Sequence, residues 1–553
     1  MPRASTPTRA PRACGALGRF DRDRVAAMAA LLDIDNAPAH EDQQSILLLD
    51  RDPVAWQGAR QRGLGWVEGD ARSPAPTYAD WRAAGEAGIC GLVLDGRQRF
   101  LHSAVNGVAP LYWLEHDGAV YFSSRIDPLV QTSPELLSID WEAWAAILTI
   151  RVPVADRTPF AEIKRLPQSS LLRRRFGGTR LREERWLWAE IEPDRSVGVA
   201  AEAAAAALGE LLAPLPGEIL CPLSGGRDSR MLFMELARSG RVAAAITASD
   251  DEGELREEEL AAPVATAFGV PQERLLGTEA DYPTEWEERA RRSEYQLVDH
   301  AWLVPVAERL AATGSPLPDG LAIDVFASSG PPFYSEEVLD TSDPRAATLA
   351  LFEMLRHWGH AHVALEESLQ EPVVSTARQQ YLAAARRFEG HPSQCVLALY
   401  STRTRRGVST NPTGLFGDRS WTITPGVADP FARAVLSTSL AEKADGKLYR
   451  AIFEILAPQI AALPATAEVP RNPPHLPRRW ASETALNFHR SSLRDGPLAP
   501  HLSPQLLAWI EGPAAAEPDH HLRLGIESVS LFHAWWRRYR DRLREVDPAV
   551  LRS

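Results

Sequence analysis

The chain is poor in lysine, poor in cysteine and short of positive charge. Of its 60 basic residues only Lys164, Lys443 and Lys447 are lysines, and 73 Asp and Glu leave a net charge of −13. A chain this acidic lacks the bulk positive field that nucleic-acid binding relies on, so no nucleic-acid partner is expected. The four cysteines, Cys14, Cys90, Cys221 and Cys395, are too few and too scattered for a disulfide framework or a CxxC metal site. That usage suits a reducing compartment, and a cytoplasmic location is expected. No run of about 18 apolar residues occurs, which argues against a transmembrane helix. The first dozen residues carry arginine and proline with no apolar stretch behind them. Residues 1–13 therefore read as a flexible extension rather than a secretory signal.

What is present is the composition of a globular protein: 553 residues, 45% hydrophobic and 24% charged, enough for several domains. Between 89 and 125, short apolar runs alternate with turn signals: Ile89–Leu94, Asp95-Gly96, Phe100–Ala104, Asn106-Gly107, Leu111-Tyr112-Trp113, His116-Asp117-Gly118 and Val120-Tyr121-Phe122. The rhythm predicts an antiparallel meander, with Asn106-Gly107 as a hairpin turn. Trp141–Ile150 has helical spacing, and the Ala-rich stretch from 196 to 215 predicts a helix. After that, strand and helix alternate: Glu218–Pro222, a helix over Met231–Ala237, Val242–Thr247, and a helix over Glu257–Phe268. Such alternation predicts a parallel sheet covered by helices, so a domain boundary is expected near 190. The rest of the chain reads as mostly helical.

The sharpest signal is Leu223-Ser224-Gly225-Gly226-Arg227-Asp228-Ser229, set between a predicted strand and a predicted helix. Two glycines let backbone N–H groups approach a phosphate, and the helix behind them points its positive end at the same place. Ser224 and Ser229 add hydroxyls, and Asp228 offers a hard oxygen for Mg²⁺. No Gly-Lys-Ser/Thr follows, so this is not a Walker A loop.

The string resembles the pyrophosphate loop of N-type ATP pyrophosphatases, and the chain as a whole resembles the asparagine synthetase superfamily. Gly91–Asp95, Pro110-Leu111-Tyr112 and Phe122-Ser123-Ser124 are similar to that family's N-terminal glutaminase-type domain. Thr158-Pro159-Phe160, Ile163–Pro167 and Trp186 are similar to its closing segment, and Lys443–Arg450 with Leu463-Pro464 to a late helix and loop. The resemblance implies an α/β protein: a glutaminase-like (Ntn-type) α/β sandwich over 14–190, then a Rossmann-like PP-loop synthetase domain over 191–553 with a helical C-terminal part. It also implies ATP and Mg²⁺. Leu223, Ser224, Gly225, Gly226, Asp228, Ser229, Thr247 and Gly320 would bind the nucleotide. Asp228 and Asp324, the latter in Asp319-Gly320-Leu321-Ala322-Ile323-Asp324, would hold the metal. Thr247 falls where the family contacts adenine. Glu258 on the next helix reads at least as well as a solvated face. Arg403, Arg405 and Arg406 read either as cations that neutralise departing pyrophosphate, with Arg403 and Arg406 catalytic, or as a solvated basic turn.

The departures from the family refine the expectation. Cys14-Gly15 resembles the start of the glutaminase motif but lies behind thirteen residues, and the glutamine-holding strings are absent. The first domain is therefore expected to be an inactive scaffold. Leu321 stands where asparagine synthetases carry Glu and β-lactam synthetases carry a catalytic Tyr, and no Lys follows Leu463-Pro464, Arg471 being the nearest cation. An Asp-Gly-Leu loop resembles lasso peptide cyclases, which close a peptide's N-terminal amine onto an Asp or Glu side chain. That implies a precursor peptide as substrate, with a leader protease and a leader-binding protein as partners. The alternatives are a small-molecule amide or β-lactam synthetase and an asparagine-synthetase-like amidotransferase. His357, His360 and His362 lack the companions of a zinc site. His300 and Trp302 read as pocket or core, and Trp509, Trp535 and Trp536 as core.

Overall fold

Two six-stranded antiparallel sheets stack on each other in the N-terminal part, and a parallel sheet wrapped in helices follows. The computed structural model describes residues 9–35, 37–58, 60–67, 79–175, 178–183, 186–215, 217–297, 299–328, 344–359, 361–470, 476–513 and 516–544. His360 and Arg471 lie outside the described residues. The first sheet centres on Ala13–Gly18, paired on one side with Ser45–Leu49 and on the other with Ala119–Ser123. The second contains Gln61–Val67, Ile89–Asp95, Gln98–His102 and Ser170–Arg175. Their facing side chains alternate along each strand, as the pleat requires. Ala13, Leu17, Leu47 and Phe122 meet Leu92, Leu94, Leu101 and Leu172 in one core. The outer face of the first sheet, including Cys14 and Ala16, is covered by Val25 and Met28 of helix Arg22–Leu31.

Two expectations fail here for physical reasons. The hairpins Ile89–His102 and Tyr112–Ser123 belong to different sheets, so Asn106-Gly107 is a crossing between layers and not a hairpin turn. Asn106 caps the Val108 N–H at 3.1 Å and donates to the Val427 carbonyl at 3.2 Å, while Gly107 adopts φ +59° with Gln168 where a Cβ would stand. Residues 10–13 are not part of a flexible extension either. Ala10 is buried and its N–H donates to the Gly417 carbonyl, and the Arg12 N–H donates to Asp50.

Beyond residue 190 the pattern follows the alternation. Helix Val197–Leu212 precedes Ile219–Pro222, Val242–Ala248 and Gln272–Leu275, three parallel strands in that order, with helices Arg227–Arg238 and Arg256–Ala267 between them. A second parallel pair, Leu317–Pro318 with Thr422–Ile423, runs beside Ile219–Pro222. The remainder is helical, and no helix among the described residues is long and apolar enough to cross a membrane. Trp509 and Trp535 are core side chains.

The antiparallel and parallel parts meet along a buried seam. Trp186 donates to the Val105 carbonyl at 2.7 Å, Trp188 to Asp429 at 2.8 Å and Tyr400 to the Asn106 carbonyl at 2.7 Å. The Trp188 and Tyr400 rings pack on Phe326, with centroids 5.3 and 4.9 Å from it. Each such ring pair contributes about 0.5–1.5 kcal/mol beyond area burial. Arg165, 1% exposed, crosses the seam to the carbonyls of Gly107, Val108 and Arg405 at 2.9–3.1 Å. Replacing it by Met leaves three carbonyls without their charged donor, so Arg165→Met should cost about 3–5 kcal/mol. A thermal melt of that variant matching the parent would contradict this account of the seam.

Candidate functional site

Strand Ile219–Pro222 ends with Leu223 buried, its N–H held by the Ile246 carbonyl at 2.8 Å, so Ser224–Ser229 emerges from the end of the parallel sheet. This is the crevice where open α/β sheets bind ligands. The loop is ordered by its own hydroxyls. Ser229 Oγ accepts from the Ser224 N–H at 3.0 Å and lies 2.9 Å from Ser224 Oγ, which accepts from the Gly226 N–H at 3.1 Å. The Gly225 N–H donates to the Glu257 carboxylate at 2.7 Å, so an anionic side chain sits on this loop amide. Gly225 has no room for a side chain: a Cβ there would lie 2.4 Å from Thr466 Oγ1.

The second acidic loop comes to the same point. Asp319 accepts from the Leu321 N–H at 2.8 Å, Ala322 turns through φ +66°, and Asp324 opens the short helix Ile323–Ala327. A Cβ on Gly320 would lie 2.8 Å from Asp228 Cβ, so only glycine lets the loops close. The Asp324 backbone amide favours the charged form of Asp228, against the larger effects of burial and of the Asp324 charge. Asp324 is open to water yet surrounded by protein, as on the floor of a cleft. Burial and then the charge of Asp324 push the Asp228 carboxyl well above its ordinary range, and burial pushes Asp324 up as well. Asp319 is pushed up to about 6 by burial. Two like charges in one cleft await a cation or a proton.

Sequence reasoning missed the side chains that complete this floor. The Tyr449 hydroxyl donates to Asp228, and the Arg227 guanidinium lies 5.5 Å from the Tyr449 ring and pairs with Glu468. Tyr449 sits in the apolar stripe Leu448, Tyr449, Ile452, Phe453 of helix Lys447–Leu456. That spacing announced a buried face but not what the hydroxyl would touch. Lys443, buried, donates to the Phe326 carbonyl at 2.9 Å and so braces the helix that carries Asp324. Burial pulls its ammonium down to about 7.

Other expected residues are distributed differently. Thr247 is buried and donates to the Leu223 carbonyl at 2.7 Å while accepting from Gln272 at 2.9 Å, so its hydroxyl ties the strands together. Glu258 is not a solvated face: it is fully buried and accepts from Ser249. The three arginines do not form a loop or a solvated turn, since 400–408 is helical. Arg405 and Arg406 are buried against the seam, Arg405 bonding the Ser401 carbonyl and Arg406 the Arg157 carbonyl and Gln296, which removes Arg406 from the phosphate cleft. The reason is steric: they lie one helical face away from Arg403, whose charge acts on both Asp324 and Asp299. Leu321 is buried in packing. His300 faces Asn411 and Trp302, and burial pulls its imidazole down to about 4. Cys14 is fully buried between Leu48 and Ser123, its thiol pushed up to about 12 by burial.

Two hard carboxylate oxygens beside a Gly-rich loop could serve a hard cation such as Mg²⁺, whose remaining ligands would come from elsewhere. Among the described residues no cluster of three His, Cys, Asp or Glu side chains is arranged to hold a metal alone. A cavity of about 590 Å³ lies on the Arg403 side, lined also by Arg151, Asp299, His357, His520 and His521. A larger groove of about 920 Å³, around Glu285, Glu308, Arg419 and Arg537, contains none of the loop residues. Compared with protein-family models and with curated proteins, the chain matches none.

The crowded pair has a thermodynamic consequence. Both carboxyls hold their protons to higher pH in the fold than in the unfolded chain, where Asp titrates near ~3.9. Stability contributed by the protonated pair is present at low pH and is lost as the pH rises through the folded values. In EDTA, Asp324→Asn should therefore melt above the parent at about pH 8 and close to it at about pH 4, and Mn²⁺ should stabilise only the parent. A variant melting below the parent at every pH, or an equal response to Mn²⁺, would contradict the paired-charge reading.

Proposed function

We propose that the protein is an AMP-forming, ATP-dependent amide ligase of the asparagine synthetase type, acting as a lasso peptide cyclase. On this reading the two-sheet part is a glutaminase-like (Ntn-type) sandwich and the part around Ser224–Ser229 a Rossmann-like PP-loop domain. The observation that carries it is the convergence of Asp228 and Asp324 on one point beside the Gly-rich loop, with Gly320 in contact distance of Asp228. Bound Mg²⁺ would supply charge neutralisation on the leaving pyrophosphate.

The residues of the chain then divide the work. Ser224–Ser229 cradle the β- and γ-phosphates, displacing Glu257 from the Gly225 N–H. Asp228 and Asp324 face the charge that pyrophosphate develops as a substrate carboxylate attacks the α-phosphate. Tyr449 and Lys443 keep those two carboxylates in place. Arg403 adds positive charge on the substrate side. The acyl-adenylate is then open to an amine. Holding that amine beside it makes ring closure effectively unimolecular, an advantage of up to ~7–11 kcal/mol. An α-amine, with an ordinary pKa of about 8, is partly neutral near pH 7 and needs no strong base. That is consistent with Leu321 in place of a Tyr or Glu. The buried, high-pKa Cys14 is unsuited to glutaminase chemistry, so the amine is taken to be the peptide's own N-terminus. A leader protease would expose it, with a leader-binding protein delivering the precursor.

Incubated with Mg·ATP and a leader-free precursor peptide, without glutamine, the protein should yield AMP, pyrophosphate and a product lighter by one water with no added nitrogen. ADP and orthophosphate, or a primary amide formed only with ammonia or glutamine, would overturn the reading. Asp228→Ala should abolish AMP formation and Cys14→Ala should leave it intact. Gly320→Ala should lower the rate roughly a hundredfold by displacing Asp228, whereas Leu321→Met costs little.

A further inference from the structure

The cavity of about 590 Å³ beside Arg403 is built from both parts of the chain. Arg151 enters it from the antiparallel part. It is the left-handed cap (φ 64°, ψ 14°) of helix Trp141–Ile150, whose residues 143–150 are all buried. A non-glycine residue held in that conformation costs about 1 kcal/mol or more and is retained where the surroundings demand it. The helix delivers a guanidinium that is nine-tenths buried. Its Nη2 is shared by Asp299 and by Glu527, the latter at 2.8 Å, whereas Nε and Nη1 are buried with no hydrogen-bond partner. A buried guanidinium does not leave two donors idle without cost, so the cavity lacks an acceptor at this place.

The charge balance has the same sign. Arg151, Arg289 and Arg403 all act on Asp299, and Glu527 is the second carboxylate of the group. Arg523, on the far side, is matched by Glu252 as well as Glu527. These guanidinium groups concentrate positive charge on the Asp299 side of the cavity. The remaining wall is aliphatic: Ile150, Val152, Leu297, Leu355, Val408 and Leu524. Inorganic pyrophosphate would gain little from such a wall, while a carboxylate on a carbon stem fits both surfaces.

We propose that this cavity is a carboxylate site shared by the two parts of the chain, in which Arg151 Nε and Nη1 receive the side-chain carboxylate of a peptide Asp or Glu. Arg403, lining the same cavity and acting on Asp324, connects that carboxylate to the phosphate cleft. The assignment of the carboxylate as the reacting group rests on the ligase reading; the anion site itself does not. It makes the antiparallel part a contributor to substrate recognition and not only a scaffold.

The test uses the full chain without nucleotide and N-acetyl-glutamate α-amide as probe, with N-acetyl-glutamine α-amide as its uncharged counterpart, followed by calorimetry or saturation-transfer NMR. The glutamate probe should bind at least roughly tenfold more tightly than the glutamine one. Arg151→Gln should erase that preference and Arg151→Lys restore part of it. Leu524→Trp, which fills the cavity and leaves every charge in place, should abolish binding of both, so the proposal stays testable if Arg151→Gln does not fold. No binding to the parent, equal binding of the two probes, or binding unchanged in Leu524→Trp would overturn it. So would an Arg151→Gln chain that loses affinity for inorganic pyrophosphate while keeping the glutamate preference. Probe binding with no AMP formation from any peptide would leave this site standing and sink the ligase reading.

Discussion

Two carboxylates are forced into one cleft, and the surrounding structure is organised around that cost. Gly320 lies so close to Asp228 that a methyl group would not fit, and the charge of Asp324 acts on the Asp228 carboxylate. Left alone, such a pair repels, and both groups respond by holding their protons to higher pH. A cation between them would relieve that repulsion. Tyr449 from the late helix, Lys443 beneath the Asp324 helix and Ala322 in a left-handed turn all bear on this one spot. Backbone strain and crowded charge are concentrated at this one place.

The seam between the antiparallel and parallel parts serves the same spot from behind. Phe326, two residues after Asp324, is clamped by Trp188 and Tyr400, and both of those bond across the seam or near it. Arg165 and Arg406 fill the interior of that seam with buried guanidinium groups bonded to carbonyls. The antiparallel part is thus a wall against which the acidic loop is braced. The Cys14 strand, paired on both sides, is buried within that wall.

The sequence made the parallel part legible almost element by element, because each strand–turn–helix there is local: Ile219–Pro222, Arg227–Arg238, Val242–Ala248 and Arg256–Ala267 match their periodic runs. The convergence of Asp228 with Asp324 was readable from motif resemblance alone. What failed was nonlocal. Asn106-Gly107 has hairpin chemistry, but its flanking strands pair with partners in different sheets, which no local pattern encodes. Charged residues misled in the same way. Arg405, Arg406 and Glu258 look solvated in sequence, yet each is buried and hydrogen-bonded to groups far along the chain or across a turn. Tyr449 and Arg151 sit in or beside apolar helical stripes, where the pattern gives burial but not the contact made by the polar tip.

On the proposed reading, Ser224–Ser229 and Asp324 form one metal–phosphate site. The most direct test is anomalous diffraction from crystals of the protein with Mn²⁺ and α,β-methylene-ATP. The account predicts a manganese peak bridging the Asp228 and Asp324 carboxylates and the nucleotide phosphates, with Gly225 N–H on phosphate and Glu257 released. Manganese elsewhere, or a nucleotide bound away from this loop with Glu257 still on Gly225, would contradict it.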